Sequence, residues 1–354
     1  MEVKGLSITT WRKVFAIKDL TDFEYVNPAK DRSIFYDVKA EKNMTRENAA
    51  IVVLVRNEEL PSLLSSMRQF EDRFNKKFQY PYVFLNDKKF TKAFIRATTA
   101  ITTAETKYGI IPKEMWSYPK WINQTKASDA RHKMQENDVL YGGSESYRHM
   151  CRFNSGFFFR HEILEQYDYY WRLEPGVEFM CDIDYDVFKF IKKNNITYGF
   201  TISLMEIEET IPTLWETVRE FMKEYPEYIN KNNVMKFISN TGKHYNMCHF
   251  WSNFEIADLN FWRSERYIKF FEYLDKAGGF FYERWGDAPV HSIALALFLE
   301  KSQIHFFNDI SYRHPPFEHC PIEKNVHEEG KCHCNPEKTF DFVWGSCLSS
   351  WFAA

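Results

Sequence analysis

Residues 49–59 read AAIVVLVRNEE. Seven consecutive apolar residues, most of them β-branched, are the pattern of a strand buried on both faces. Leu63, Leu64, Met67 and Phe70 follow at helical spacing through about Phe74, and residues 80–86 (YPYVFLN) give the next strand. This is a β–α–β unit of ordinary length, which is right-handed and sets the carboxyl end of its first strand beside a ligand crevice. Arg56 stands at that end. It suits a phosphate or base edge, and equally a surface arginine paired with a nearby acid.

Outward from this unit the same alternation continues. Residues 90–98 and 121–137 have helical spacing, with a strand-like segment near 101–111 between them. Residues 196–204 read as a central strand, 214–224 as an amphipathic helix, and 265–277 as a helix stopped by Gly278-Gly279. Asp287 is expected to cap a helix reaching about Leu299, and residues 304–307 form a last strand. No repeat or linker-like break divides the chain. The expected architecture is a single α/β domain over 49–354, a mixed, mostly parallel sheet flanked by helices, with a cysteine-rich tail. Residues 1–48 read as a stem remnant or a wrap on that domain.

The chemistry concentrates in residues 147–188, YRHMCRFNSGFFFRHEILEQYDYYWRLEPGVEFMCDIDYDVF. Residues 167–173 have the texture of a buried strand, and Pro175-Gly176 stop it with Glu174 at its tip. A short apolar run, 177–181, leads to Asp182-Ile183-Asp184. Acids at strand ends in an α/β chain gather ligand and metal chemistry, so the Asp-x-Asp pair is a candidate metal site. Turns and a helix cap are the plainer alternative. Residues 249–263 (HFWSNFEIADLNFWR) place Glu255 among aromatics, as a reactive carboxylate or as a buried hydrogen-bonded acid.

The chain has 46 basic and 49 acidic residues and a net charge of -3, a near-balance that argues against nucleic acid as the main partner, which would call for a basic stripe. No apolar run is long enough to span a bilayer, and no signal peptide is visible at Met1. Four of the seven cysteines, Cys320, Cys332, Cys334 and Cys347, crowd the tail. That pattern predicts disulfides of an oxidising compartment, with at least one thiol left over. A zinc site using nearby histidines fits less well, because Cys332-x-Cys334 is too tightly spaced. Three Asn-x-Thr sequons, at Asn43, Asn123 and Asn195, agree with a secretory route.

Four long motifs, YRHMCRFNSGFFFRH, YYWRLEPGVEFMCDIDYDVF, CHFWSNFEIADLNFWRS and GGFFYERWGDAPVHSIAL, occur in this order. Together they resemble the fungal Golgi α-1,2-mannosyltransferases of the KTR family (glycosyltransferase family 15). The likeness runs from about Ala49 to the last cysteines. It implies a GT-A-like fold, GDP-mannose as donor, a mannosylated glycoprotein glycan as acceptor, Mn²⁺ as cofactor, and retention at the sugar's anomeric carbon. It also implies a Golgi-lumen enzyme on a membrane anchor, which this chain does not contain. By motif, Glu174 and His314 become the expected metal ligands, Glu255 the expected nucleophile, and Tyr147 an active-site tyrosine near the reacting sugar. Asp182 and Asp184 then become donor contacts, beside Arg56, Arg148 and Arg152 as carriers of the phosphate charge. Retention allows a covalent mannosyl-Glu255 intermediate or same-face attack with Glu255 steadying the cation. A non-catalytic glycan-binding protein and a two-carboxylate glycosidase are the competing classes. The acceptor-binding residues are not legible.

Overall fold

The computed structural model describes residues 45–354. The expected wrap over 1–48 therefore lies outside the described residues, except for its last four. The apolar run forms β1 (Ala49–Leu54), its side chains buried on both faces as the unbroken pattern requires. It pairs in parallel with β2 (Tyr82–Asn86) and β4 (Tyr169–Arg172), and β2 with β3 (Thr106–Ile110). On the other side of β4 lies β9 (Ile256–Asp258), antiparallel to β4 and to β6 (Tyr198–Phe200), and β6 pairs in parallel with β10 (Ile304–Phe306). The seven-stranded order is β10-β6-β9-β4-β1-β2-β3. One antiparallel strand in a parallel sheet has a direct consequence. The start of β9, and with it Glu255, lies at the edge where its neighbours end.

A three-stranded antiparallel sheet joins β5 (Glu178–Phe179), β11 (Tyr312–His314) and β12 (Phe317–His319), and a two-stranded one joins β7 (Ser203–Met205) and β8 (Cys248–Phe250). The expected central strand over 196–204 is thus two strands in different sheets, because the chain leaves the main sheet after Phe200. The helices flanking the sheet include α1 (Leu60–Phe70), α2 (Lys92–Ile101), α3 (Gln124–Glu136), α4 (Glu145–Gly156), α5 (Val187–Lys193), α6 (Leu214–Glu224), α7 (Glu265–Ala277) and α8 (Asp287–Phe298). Gly278 ends α7 in the left-handed conformation (φ 81°), as the glycine pair predicts. Asp287 is the first residue of α8, not its cap. Its carboxylate is used elsewhere, as described below.

Two of the three disulfides tie the tail to the body. Cys332 bonds to Cys181 and Cys347 to Cys248, while Cys320–Cys334 closes within the tail. Cys151 is the free, buried thiol.

Candidate active site

The site is built on the carboxyl edge of β4. Arg172 ends the strand, and Glu174 follows two residues later, before the turn at Gly176 (φ 84°). The Arg172 guanidinium donates through Nε and Nη2 to Glu174 Oε1, at 2.9 and 2.5 Å, and through Nη1 to Asp287 Oδ2 at 2.7 Å. Ser252 Oγ donates to the same Asp287 oxygen at 2.8 Å. Burial alone would raise the Asp287 carboxyl, but Arg172, His291 and Ser252 hold it below the usual carboxylate range. This network fixes Glu174 by one oxygen and leaves the other free to face His314, whose Nε2 lies 3.7 Å from Oε2. The meeting follows from strand register. Tyr312 pairs with Phe179 and Arg313 with Glu178, so β11 runs back along β5 toward the Glu174 turn. Both side chains keep a quarter to a third of their exposure, 24% for Glu174 and 30% for His314, so a ligand can reach them.

Glu255 forms the floor. It is 1% exposed, and both oxygens are engaged. Oε1 faces His291 Nδ1 at 2.6 Å and accepts from the Tyr198 hydroxyl at 3.3 Å, while Oε2 accepts from the Tyr170 hydroxyl at 2.8 Å. Burial and the carboxylate together push both phenols well above their ordinary pKa, which keeps them donors. His291 Nε2 faces the Asn154 carbonyl oxygen at 3.1 Å, so α8 and α4 are joined through this ring. A small hollow of about 10 Å³, lined by Leu54, Leu85, Phe153, Asn154, Arg172 and Glu255 among others, adjoins this floor.

Tyr147 stands in the first turn of α4. Ser144 caps it by accepting from Tyr147 N, which sets Tyr147 at the helix start. The half-buried Tyr147 ring stacks on Tyr141, with centroids 4.5 Å apart and planes 14° apart. The Arg284 guanidinium carbon lies 5.1 Å from its centroid. Burial drives the Tyr147 phenol well above its usual pKa, and Cys151, Asp287 and Glu206 add to this while Arg284 opposes it.

The expected site residues therefore divide. Glu174 meets His314 directly, Glu255 is buried beside the end of β4, and Tyr147 faces Arg284. Arg56 is exposed at the end of β1, turned back onto Glu59 at 3.5 Å. Arg148 is fully buried and spends its donors on the carbonyls of Glu283, Gly142 and Ser144, and on Met134 Sδ. Arg152 is held by Asp275 through two bonds of 2.7 and 2.8 Å. Neither of these guanidiniums is presented to a phosphate. The aspartates also need correction. After Glu174 the chain runs alongside α1 and its extension, away from the edge. Val177 O accepts from Ser66 Oγ, Phe179 N donates to Gln69 Oε1, Asp182 pairs with Arg73, and Asp184 with Lys77. Arg73 is thirteen residues past the start of α1, about 20 Å along the helix. Lys331 makes a second cation on Asp182, at 3.2 Å.

Arg172, Asp287, Ser252, His291 and Arg284 join the site's network without being singled out by the motifs. Arg172 carried a signal: a lone guanidinium in an aromatic strand, two residues before Glu174, has to find a buried acid. Asp287 was hidden by its resemblance to a helix cap.

Comparison with known proteins agrees over nearly the whole chain. A family model described as glycolipid 2-alpha-mannosyltransferase matches residues 17–354. A glycolipid 2-alpha-mannosyltransferase of Saccharomyces cerevisiae is 52% identical over 354 residues, covering 100% of this chain and 78% of its own length. The alpha-1,2 mannosyltransferase KTR1 of the same yeast is 56% identical over 308 residues, 87% of this chain and 78% of that one. Among solved structures, the mannosyltransferase Ktr4p of S. cerevisiae in complex with GDP superposes with a TM-score of 0.87 at 36% identity, covering 100% and 93% of the two chains. Core-mannan synthase A of Aspergillus fumigatus, in its Mn/GDP form, gives 0.84 at 42% identity, covering 94% and 91%. The chain belongs to the glycolipid 2-alpha-mannosyltransferase family.

Proposed function

We propose that this protein is a retaining α-1,2-mannosyltransferase that moves mannose from GDP-mannose to a mannoside on a glycoprotein glycan, with Mn²⁺ as cofactor. The observation that carries the reading is the convergence of Glu174 and His314, 140 residues apart in sequence, on one accessible point, with Arg172 orienting the carboxylate. Relatives solved with GDP and with manganese and GDP support the donor and the ion. A carboxylate oxygen and an imidazole nitrogen fit Mn²⁺ and leave coordination positions for water and pyrophosphate oxygens. When bound, the ion neutralises charge on the departing diphosphate.

The chain's own residues do the rest. Arg172, shared between Glu174 and Asp287, keeps the ligand carboxylate aimed. As the mannosyl C1–O bond to GDP breaks, positive charge develops on the ring. Glu255 at the floor of the hollow steadies it through a water-poor medium. Both Glu255 oxygens already hold donors, so covalent attack would first have to break a buried network. We therefore favour same-face substitution, in which the acceptor 2-hydroxyl forms the new C1–O bond and its proton passes to the leaving phosphate oxygen. Tyr147 places donor and acceptor. Residues 49–354 act as the catalytic domain, and the three disulfides support a luminal, Golgi location. Among the described residues no helix is long and apolar enough to cross a membrane.

The test is incubation with GDP-mannose, Mn²⁺ and a panel of α-mannosides, with the product linkage read by NMR. An α-1,2-linked product is expected. Mannoside binding without transfer would point to a glycan-binding protein, and cleavage of mannosides without nucleotide or metal to a glycosidase.

A further inference from the structure

We propose that Arg284 is a positioning residue for the reaction, acting through Tyr147. It lies in the loop between the short helix Gly279–Tyr282 and α8, and its side chain is 3% exposed. A buried guanidinium ordinarily satisfies its donors with carboxylates or carbonyls, as Arg148 and Arg152 do here. Arg284 does not follow that pattern. Its one ion pair, Nη2 to Glu206 Oε1, is long at 3.4 Å, and its Nε is buried with no hydrogen-bond partner among the described residues. Beyond Glu206, the guanidinium faces the Tyr147 ring, whose centroid lies 5.1 Å from its carbon. An incompletely paired buried cation against one aromatic ring is costly to folding. It is well placed to hold that ring in one orientation.

The loop explains why this cation belongs to the site. Glu283 accepts from Thr213 Oγ1 and from Trp285 Nε1, and its carbonyl accepts from Arg148, the residue after Tyr147. Three residues past Arg284, Asp287 holds Arg172, which holds Glu174. One short segment thus fixes the tyrosine at one end and the ligand carboxylate at the other. Tyr147 has Tyr141 on one face and, among the charged or titratable groups around it, Cys151, Asp287 and Glu206 besides Arg284. Arg284 is the cation of that set.

The inference rests on the reading of Tyr147 given above, and a double-mutant cycle separates the two. Arg284→Gln is expected to lower kcat about 10- to 30-fold, the scale of a desolvated cation–aromatic contact, with KM for GDP-mannose within about threefold. Arg284→Lys, which keeps the charge, is expected to recover most of the loss. In a Tyr147→Phe background, which itself should be strongly impaired, Arg284→Gln should cost less than about threefold more. Mn²⁺-dependent GDP binding by each variant reports that the fold survives, and Arg284→Met, which also removes the charge, carries the cycle if Gln does not fold. Independent, multiplicative losses in the cycle would overturn the role of Arg284 while leaving Tyr147 in place. Parental kcat in Tyr147→Phe would overturn the reading of Tyr147 and this inference with it. Parental kcat in Arg284→Gln would overturn this inference alone.

Discussion

The stretch from Arg172 to Asp184 carries acids into two different surroundings. At its start, Glu174 shares Arg172 with Asp287, is neutralised through one oxygen, and turns the other toward His314. At its end, Asp182 has Arg73 and Lys331, Asp184 has Lys77, and Cys181 beside them is bonded to Cys332. Glu174, Asp182 and Asp184 look alike in sequence. Glu174 retains an unspent oxygen beside His314, and the two aspartates close a clasp between the tail and the helix after β1. Within this stretch the acids differ in the partners left over at each oxygen, not in the spacing.

Changes at the catalytic edge should remove turnover and leave stability, and changes at the clasp should do the reverse. Glu255→Gln keeps the shape and a carbonyl oxygen but removes the charge. We expect kcat to fall by about 10²–10³ with GDP and Mn²⁺ binding retained, as measured by initial rates and calorimetry. A variant within a few-fold of parental kcat would remove Glu255 from the mechanism. A Cys181→Ser/Cys332→Ser pair should cost about 2–5 kcal/mol of stability, read from denaturant midpoints, because the bond closes a separation of 151 residues. Its kcat at low temperature should stay near parental. A collapse of kcat without loss of stability would join the clasp to the chemistry.

The smallest effect concerns pH. Buried His319 faces Asp341 Oδ2 at 2.7 Å and the Asn308 carbonyl oxygen at 3.0 Å. Burial would lower its pKa, but Asp341 and that carbonyl outweigh it and raise the folded value. A raised folded pKa means that its stabilising contribution is complete below about pH 6.5, the unfolded value, and is lost as pH rises through the folded one. Melting temperatures across pH 5–9 should therefore fall more toward high pH in the parent than in His319→Gln. Parallel curves would show that the pair does not titrate.

Much of this was legible beforehand. The AAIVVLV run gives a doubly buried strand, and Gly278 a helix stop, because each signal is local. Glu174 and His314 were legible only by resemblance, since their meeting depends on the register of β11 on β5. Arg148 and Arg152 misled for the same reason. An arginine in a helix says nothing about whether its guanidinium meets carbonyls, as that of Arg148 does, or a ligand. Asp182 and Asp184 followed a familiar spacing, but the chain's course beside α1 carries them off the edge.

The central claim is that the ion and nucleotide gather at Glu174 and His314. Calorimetric titration of GDP with Mn²⁺ into the parent, Glu174→Ala, and the Asp182→Asn/Asp184→Asn pair tests it directly. The account predicts a loss of at least about 100-fold in affinity for Glu174→Ala, and a change within about threefold for the aspartate pair. The opposite ranking, with tight binding kept by Glu174→Ala and lost by the aspartate pair, would contradict it.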